Sequence, residues 1–351
     1  MKKIDYSKLT DRTWDNEIMS YVAKIHEFKG KQELYIRQKP VELERLIEIA
    51  KIQSTESSNS IEGIVTTSVR LKQLVEDKTT PRNRNEKEIL GYRNVLNLVH
   101  ENYEYISITP NYILQMHGEL LKHTTFSYGG KFKTIPNEIA KTLADGTREV
   151  IFKPLESYET PDAIANLCES YQKEISKEIV DPLILIPCFI LDFLCIHPFN
   201  DGNGRMSRLL TLLLLYKSGY MVGQYISIEK AIADTKDDYY DALAISDQNW
   251  NDDNNDPKEF IKYMLAIILS CYKEFENRVG VAWKAGAKST SYDVVKQYVS
   301  TKIGTFTKQD ALVSCPSFGS SSVEAALKKL VHEGVIERIG AGRKTHYVRK
   351  D

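Results

Sequence analysis

At 351 residues the chain is long enough for two domains of roughly 150 residues each, and its 42% hydrophobic and 27% charged residues are those of an ordinary globular protein. A net charge of −1 excludes a global attraction to nucleic acid or to an anionic membrane, so any electrostatic partner must be met by a local cluster. The five widely spaced cysteines, Cys168, Cys188, Cys195, Cys271 and Cys315, suggest neither a disulfide framework nor a thiolate zinc site, and they fit a reducing compartment.

The first six residues are basic but lack the apolar run of a signal peptide. The most apolar stretch, 182–191, stops at Asp192, well short of the ~20 residues that cross a bilayer. The expectation is a cytoplasmic protein with no membrane partner. Apolar residues recur at helical intervals over 41–53 (Leu43, Leu46, Ile47, Ile49, Ala50), 85–101 (Ile89, Tyr92, Val95, Leu96, Val99) and 111–122 (Ile113, Leu114, Met116, Leu120, Leu121). The pattern continues over 162–177, 183–196 and 205–218, the last apolar on most faces and therefore central. One region departs from it. After the turn-like 126–130, residues 131–139 and 149–152 have strand composition, with Asp145-Gly146 between them. This predicts a small β-hairpin inserted in a helical domain.

Residues 249–256 form a polar loop, and 258–277 predict a long helix. The small polar run 285–290 reads as a linker. Three short helices follow (292–299, 307–313 and 320–333), the last ended by Gly334. Strands at 335–339 and 345–348 flank Gly340-Ala341-Gly342-Arg343-Lys344. Three helices and a basic hairpin describe a winged helix. The expected class is thus mainly α: an N-terminal helical region (1–110), a helical core with a hairpin (111–280) and a winged-helix domain (291–351).

The chemistry concentrates in His197-Pro198-Phe199-Asn200-Asp201-Gly202-Asn203-Gly204-Arg205-Met206-Ser207-Arg208. Pro198 disfavours helix at His197, so an imidazole, the side chain best matched to general-base work, should sit at a helix end. Gly202 and Gly204 allow close backbone approach to a ligand. A helix starting near Arg205 aims its free N–H groups and positive dipole end at the same spot, an anion site. Arg205 and Arg208 share a face three residues apart and suit a polyphosphate. Asp201 suits Mg²⁺ beside phosphate, Asn203 can donate to a phosphate oxygen, and Phe199 should anchor the loop in the core.

The same stretch resembles the signature of the Fic (filamentation induced by cAMP) family, His-x-Phe-x-Asp/Glu-Gly-Asn-Gly-Arg-x-x-Arg, at every fixed position. Residues 41–270 look like that family's helical core with an N-terminal extension. The resemblance implies AMP transfer from ATP, with Mg²⁺, to a hydroxyl of a protein substrate, the chain itself included. It implies that His197 deprotonates the hydroxyl and that Asp201 holds Mg²⁺ between the α- and β-phosphates. Gly202, Asn203 and Gly204 would form the anion hole, with Met206 and Ser207 in the same nucleotide-binding segment. Arg205 would hold the β-phosphate and Arg208 the γ-phosphate. Tyr239 and Tyr240 resemble the paired tyrosines near adenine. Asp247 departs from the pattern, standing where an amide often contacts adenine in relatives. Residues 131–140 resemble the flap that clamps the target as an added strand, through Thr134, Pro136, Asn137, Glu138 and Ile139.

A second motif, Ser57-Ser58-Asn59-Ser60-Ile61-Glu62-Gly63, alone reads as a polar helix C-terminus. Beside the first motif it resembles the family's inhibitory helix, with Ser58, Glu62 and Gly63 in the fixed places. Glu62 would then pair with Arg208 and occupy the γ-phosphate site. Two other readings stand beside self-inhibited transfer. Glu62 could act as base for water and remove AMP from targets, or the chain could be a DNA-binding regulator whose core only senses nucleotide. From Lys284 onward twelve basic residues face six acidic ones, a net of +6, which allows DNA as a partner of the winged helix; protein docking is the other use of that module. His117, among Leu114, Leu120 and Leu121, reads as a packed core histidine. His123, His332 and His346 belong to no motif and read as surface residues. Asp252, Asp253 and Asp256 lack the glycine and distal glutamate of a calcium loop and read as solvated. A homo-oligomer is left open.

Overall fold

The computed structural model describes residues 3–350 apart from Lys39, 143–146, 285–289, Ile303, 316–317, Ala341 and 343–344. The turn expected at Asp145-Gly146, most of the expected linker and part of the expected loop 340–344 therefore lie outside the described residues. The chain is mainly helical. Its centre is the pair α7 (Pro182–Ile196) and α8 (Asn203–Lys217), packed against each other. Every residue of α7 from Leu183 to Ile196 is buried, Pro187 included. A helix apolar on all faces must be surrounded. The surrounding elements are α4 (Arg84–Asn102) on α8, and α6 (Thr160–Ile175) and the long α11 (Lys258–Lys284) on α7, with α5 (Pro110–Leu121) packed on α4 and α6. Local sequence sets the boundaries. Thr109 caps α5, with Pro110 in the first turn, and the Asn83 side chain accepts from the Glu86 N–H at the start of α4.

Several elements differ from the expectation. α1 (Asn16–Gln38) packs on α11 but buries only a thin stripe, including Ile18, Val22 and Ile25, so its periodicity is weak. The helix expected to stop at 53 continues as α2 (Pro40–Ile61) through the Ser/Asn-rich segment. The short α3 (Ser68–Val75), α9 (Ile228–Asp234) and α10 (Lys236–Ser246) complete the helical part. The hairpin exists but is shorter than expected: β1 is Ile139–Thr142 and β2 is Arg148–Phe152. Ile139 pairs with Phe152 and Ala140 with Val150, which bulges β2 at Ile151. Residues 131–138 are not strand; Lys133 and Asn137 bond to the end of α7 and the loop after it instead of to a ladder.

Residues 291–349 hold a separate hydrophobic cluster that includes Val295, Val299, Phe306, Leu327, Leu330 and Tyr347. Its order is α12 (Ser291–Thr301), β3 (Thr305–Phe306), α13 (Lys308–Ser314), α14 (Ser320–His332), β4 (Ile336–Ile339) and β5 (His346–Arg349), with sheet order β3-β5-β4. Thr290 and Thr307 start their helices with capping boxes to Asp293 and Asp310. Gly334, at φ 73°, follows the end of α14. Among the described residues no helix is long and apolar enough to cross a membrane. All five cysteines are buried and free.

Candidate active site

The loop between α7 and α8 is built by its own residues. His197 ends α7 in the left-handed region at φ 51°, a conformation His tolerates better than most non-glycine residues. Its Nδ1 lies 3.3 Å from the Leu194 carbonyl. A proton assigned to Nδ1 leaves Nε2 with the lone pair, the form a base needs. Burial pushes its pKa down to about 4, with Lys133 adding to the effect and the Leu194 carbonyl, Glu62 and Asp201 opposing it. The ring is therefore neutral at pH 7. Phe199 is wholly buried and stacks on His117 at 3.7 Å, which anchors the loop as expected. The Asn203 side chain accepts from the Phe199 N–H (2.9 Å) and donates to the Phe199 carbonyl (2.7 Å). Its amide thus closes the loop, a role the expectation of a phosphate donor did not include. Gly202, at φ 85°, precedes α8 with no side chain to cap it. The first N–H groups of α8 consequently have no intrahelical acceptor.

An anion already sits at that helix end. The Glu62 carboxylate lies over Gly204, where a Cβ would collide with its Oε1. Arg208 donates to Glu62 Oε1 (2.8 Å), to the Ser58 hydroxyl (2.8 Å) and to the Ser58 carbonyl (2.9 Å). The last turn of α2 and the residue that follows it deliver all three acceptors. Gly63 makes this possible: at φ 74° its N–H donates to the Ser60 carbonyl and the Ile64 N–H donates to that of Asn59, the two hydrogen bonds of a Schellman ending. The segment is therefore both a helix C-terminus and the carrier of the Arg208 contact. Burial pushes the Glu62 carboxyl up, but Arg208, Arg205 and Lys236 more than offset this and hold it below the usual range. It is ionised at neutral pH.

Other expected residues are placed differently. Arg205 is wholly buried and points to α4, its guanidinium 2.9 Å from Glu88 and 3.5 Å from Asp201. The two arginines thus part company, one reaching α4 and the other α2, instead of presenting parallel forks. Met206 is buried in the core, and the Ser207 hydroxyl bonds the Gly204 carbonyl. Neither side chain is spare for nucleotide, because α8 is buried on nearly all faces. Tyr239 is buried edge-on against Tyr240, Phe260 and Tyr263, whereas Tyr240 is 43% exposed. Of the expected pair, Tyr240 is the one with an exposed ring. Asp247 is half-buried, and burial pushes its carboxyl up to about 6. Of the flap residues, Thr134, Pro136 and Glu138 are exposed and Ile139 opens β1. Asn137 turns its side chain to the His197 and Phe199 carbonyls.

Asp201 has a side chain 39% exposed, with Oδ1 taking the Gly202 N–H. One accessible carboxylate beside an anion site fits Mg²⁺, which keeps waters and phosphate oxygens as most of its ligands. No cluster of three or more His, Cys, Asp or Glu side chains among the described residues is placed to hold a metal ion. His117 is a core histidine, as expected, but it also supports the loop. Its Nε2 bonds the Asp201 carbonyl (3.0 Å) and its Nδ1 accepts from the Gly130 N–H (3.1 Å). Sequence reasoning missed Glu88 and Lys133, which lie within the expected helix 85–101 and the expected strand 131–139, where nothing local singles them out.

The sequence and the fold have known counterparts. The sequence profile of the Fic/DOC family matches residues 107–215, from just before α5 to near the end of α8. The chain carries a Fic domain. The "Protein adenylyltransferase Fic" of Drosophila erecta is 26% identical over 192 residues, covering 53% of this chain and 36% of that protein. The protein of the same name from Nematostella vectensis is 24% identical over 183 residues, 51% of this chain and 40% of that one. The chain thus spans well under half the length of these relatives. A Fic family protein from Desulfovibrio desulfuricans G20 superposes with a TM-score of 0.63 at 19% identity, covering 97% of both chains. The shared fold therefore extends past the Fic domain on both sides.

Proposed function

We propose that the chain transfers AMP from ATP to a hydroxyl side chain of a protein target, and that Glu62 holds it in a self-inhibited state. The observation that carries this reading is the Glu62 carboxylate seated over the start of α8 and bonded to Arg208. A helix N-terminus with an arginine beside it is an anion site, and here the chain's own anion fills it. With Glu62 withdrawn, Arg208 is available to the terminal phosphate. Arg205, tied to Glu88, adds its charge at short range. The free N–H groups of α8 stabilise negative charge that grows on the α-phosphate. The target hydroxyl gives its proton to His197 Nε2, its oxygen bonds the α-phosphorus, and pyrophosphate leaves. Mg²⁺ on Asp201 would neutralise phosphate oxygens and so aid departure of pyrophosphate. The β1–β2 hairpin is the place for the target strand.

Intact-mass measurement after incubation with ATP and Mg²⁺ tests this. An added AMP on the chain or on a target is expected, and ATP cleavage without any adduct would overturn it. A second reading, removal of AMP by water, rests on Glu62 being ionised inside the site. An AMP-modified protein offered as substrate distinguishes it. For residues 291–351 we propose a winged helix, on the strength of three helices and the sheet order β3-β5-β4. Its surplus of basic residues leaves DNA and protein as alternative partners.

A further inference from the structure

Four consecutive carbonyls, those of Ile196, His197, Pro198 and Phe199, are all held by two residues of one distant segment. Lys133 Nζ donates to the Ile196 carbonyl (3.0 Å) and to Asn137 Oδ1 (2.9 Å). The Lys133 backbone N–H donates to the Pro198 carbonyl (2.8 Å). Asn137 Nδ2 donates to the Phe199 carbonyl (3.0 Å) and, at 3.4 Å, to that of His197. Lys133 is 2% exposed and belongs to no ion pair among those between described residues. A buried ammonium whose acceptors are neutral is expensive to keep, and its burial depresses its pKa to about 8. Fold stability alone gives little reason for it, because an apolar side chain of similar length would fill the space. What the pair does is local. His197 is left-handed, and a non-glycine residue stays in that region only when its surroundings over-determine it. The residues on both sides of His197, and His197 itself, have their carbonyls fixed by Lys133 and Asn137.

We infer that Lys133 and Asn137 are positioning residues for the base: together they fix the backbone from 196 to 199 and so aim the His197 imidazole. The inference rests on the reading of His197 as the base of the proposed transfer. It also reassigns Asn137, which supports the loop from within instead of clamping a target.

The experiment uses the full chain with Lys133→Met, Lys133→Arg and Asn137→Ala. Lys133→Met keeps an unbranched side chain and removes the ammonium. It should lower kcat for AMP transfer about tenfold or more, because a base displaced by about 1 Å loses most of its effect. The KM for ATP should stay within about threefold, since the phosphate contacts are elsewhere. Lys133→Arg, which keeps a buried donor, should recover most of the rate. The NMR signals of the His197 ring and Phe199 amide should shift in Lys133→Met and lie near wild type in Lys133→Arg. Where Lys133→Met does not fold, Asn137→Ala takes its place, with the same kcat loss and the same shifts expected. Unchanged kcat, or lost kcat with unshifted His197 and Phe199 signals, would overturn the inference. If neither the wild type nor Glu62→Gly transfers AMP, the proposed function fails, and the NMR arm still decides whether the two residues hold the loop.

Discussion

At the scale of single residues, Arg208 is where the two sequence motifs meet. Its guanidinium can satisfy Glu62 or a phosphate in one fork geometry, not both. Glu62 reaches it from the same chain and so acts at high effective concentration. Glu62→Gly should therefore raise AMP transfer about tenfold or more, the equivalent of about 1.4 kcal/mol of preference removed. Adding Arg208→Ala should abolish most of the gain, because the released arginine is its cause. Equal transfer by Glu62→Gly and wild type across ATP and Mg²⁺ concentrations would make the 2.8 Å pair a structural contact only. His197→Ala addresses the other end of the loop. Removing one general base costs typically about 10²–10⁴-fold, and calorimetric ATP affinity should stay near wild type because Arg208 and the α8 start are intact. Wild-type transfer by this variant would remove His197 from the mechanism.

At the scale of elements, the end of α2 sets the position of Glu62. Gly63 holds φ 74°, and alanine there is strained in a way glycine is not. Gly63→Ala should cost about 1 kcal/mol in urea unfolding and, by fraying the last turn, should also raise AMP transfer above wild type. A stability loss with transfer unchanged would mean that Glu62 keeps its place without the Schellman ending. The same helix shows what the sequence could and could not disclose. The loop 197–208 was legible because its chemistry is contiguous: a histidine before proline, two glycines and the arginines announce a helix end and a helix start. The run 57–60 resembled a helix end because Ser and Asn compete with backbone hydrogen bonds. In the fold that competition is resolved. Asn59 donates to the Thr55 carbonyl, Ser60 to that of Ser57, and Ser58 accepts from Arg208. The destinations of Arg205 and Lys133 were not legible. Glu88, and the carbonyl of Ile196 that Lys133 holds, lie far away in sequence, and nothing in a local pattern says that a given lysine or glutamate will be buried. The length of the hairpin was misread for the same reason, since a strand composition at 131–138 was spent on side-chain bonds to the loop.

At the scale of the whole molecule, neutral buried histidines tie stability to pH. Burial pushes His100 down to about 3 and His117 to about 4, and His197 to about 4. In the unfolded chain each returns to about 6.5. Between pH 6.5 and about 4 the unfolded state binds protons that the folded state refuses. The stability these neutral rings contribute is therefore whole above pH 6.5 and is lost progressively as pH falls towards 4, by up to about 1.4 kcal/mol per pH unit for each fully buried ring. Asp247 works the other way: its carboxyl is raised to about 6, so its folded form gains relative stability as pH falls through that value. Glu62 does not act in this range. Its folded pKa lies below 4.5, so its contribution is present above its unfolded pKa and is lost only on further acidification through the folded value. His197 is only half-buried and weighs less; His100 and His117, both buried, outweigh the single half-buried aspartate. Urea unfolding at pH 7, 6 and 5 should show stability falling at each step, by roughly 2–3 kcal/mol in all. His100→Phe removes one of the refusing rings, which meets Tyr216 edge-on at 5.6 Å and whose Nε2 lies 3.4 Å from the Tyr216 hydroxyl. Its profile should be shallower than wild type over the same range, even if its stability at pH 7 is lower. A wild-type profile that is flat or rises towards pH 5, or a His100→Phe profile as steep as wild type, would show that these rings take up protons in the folded chain.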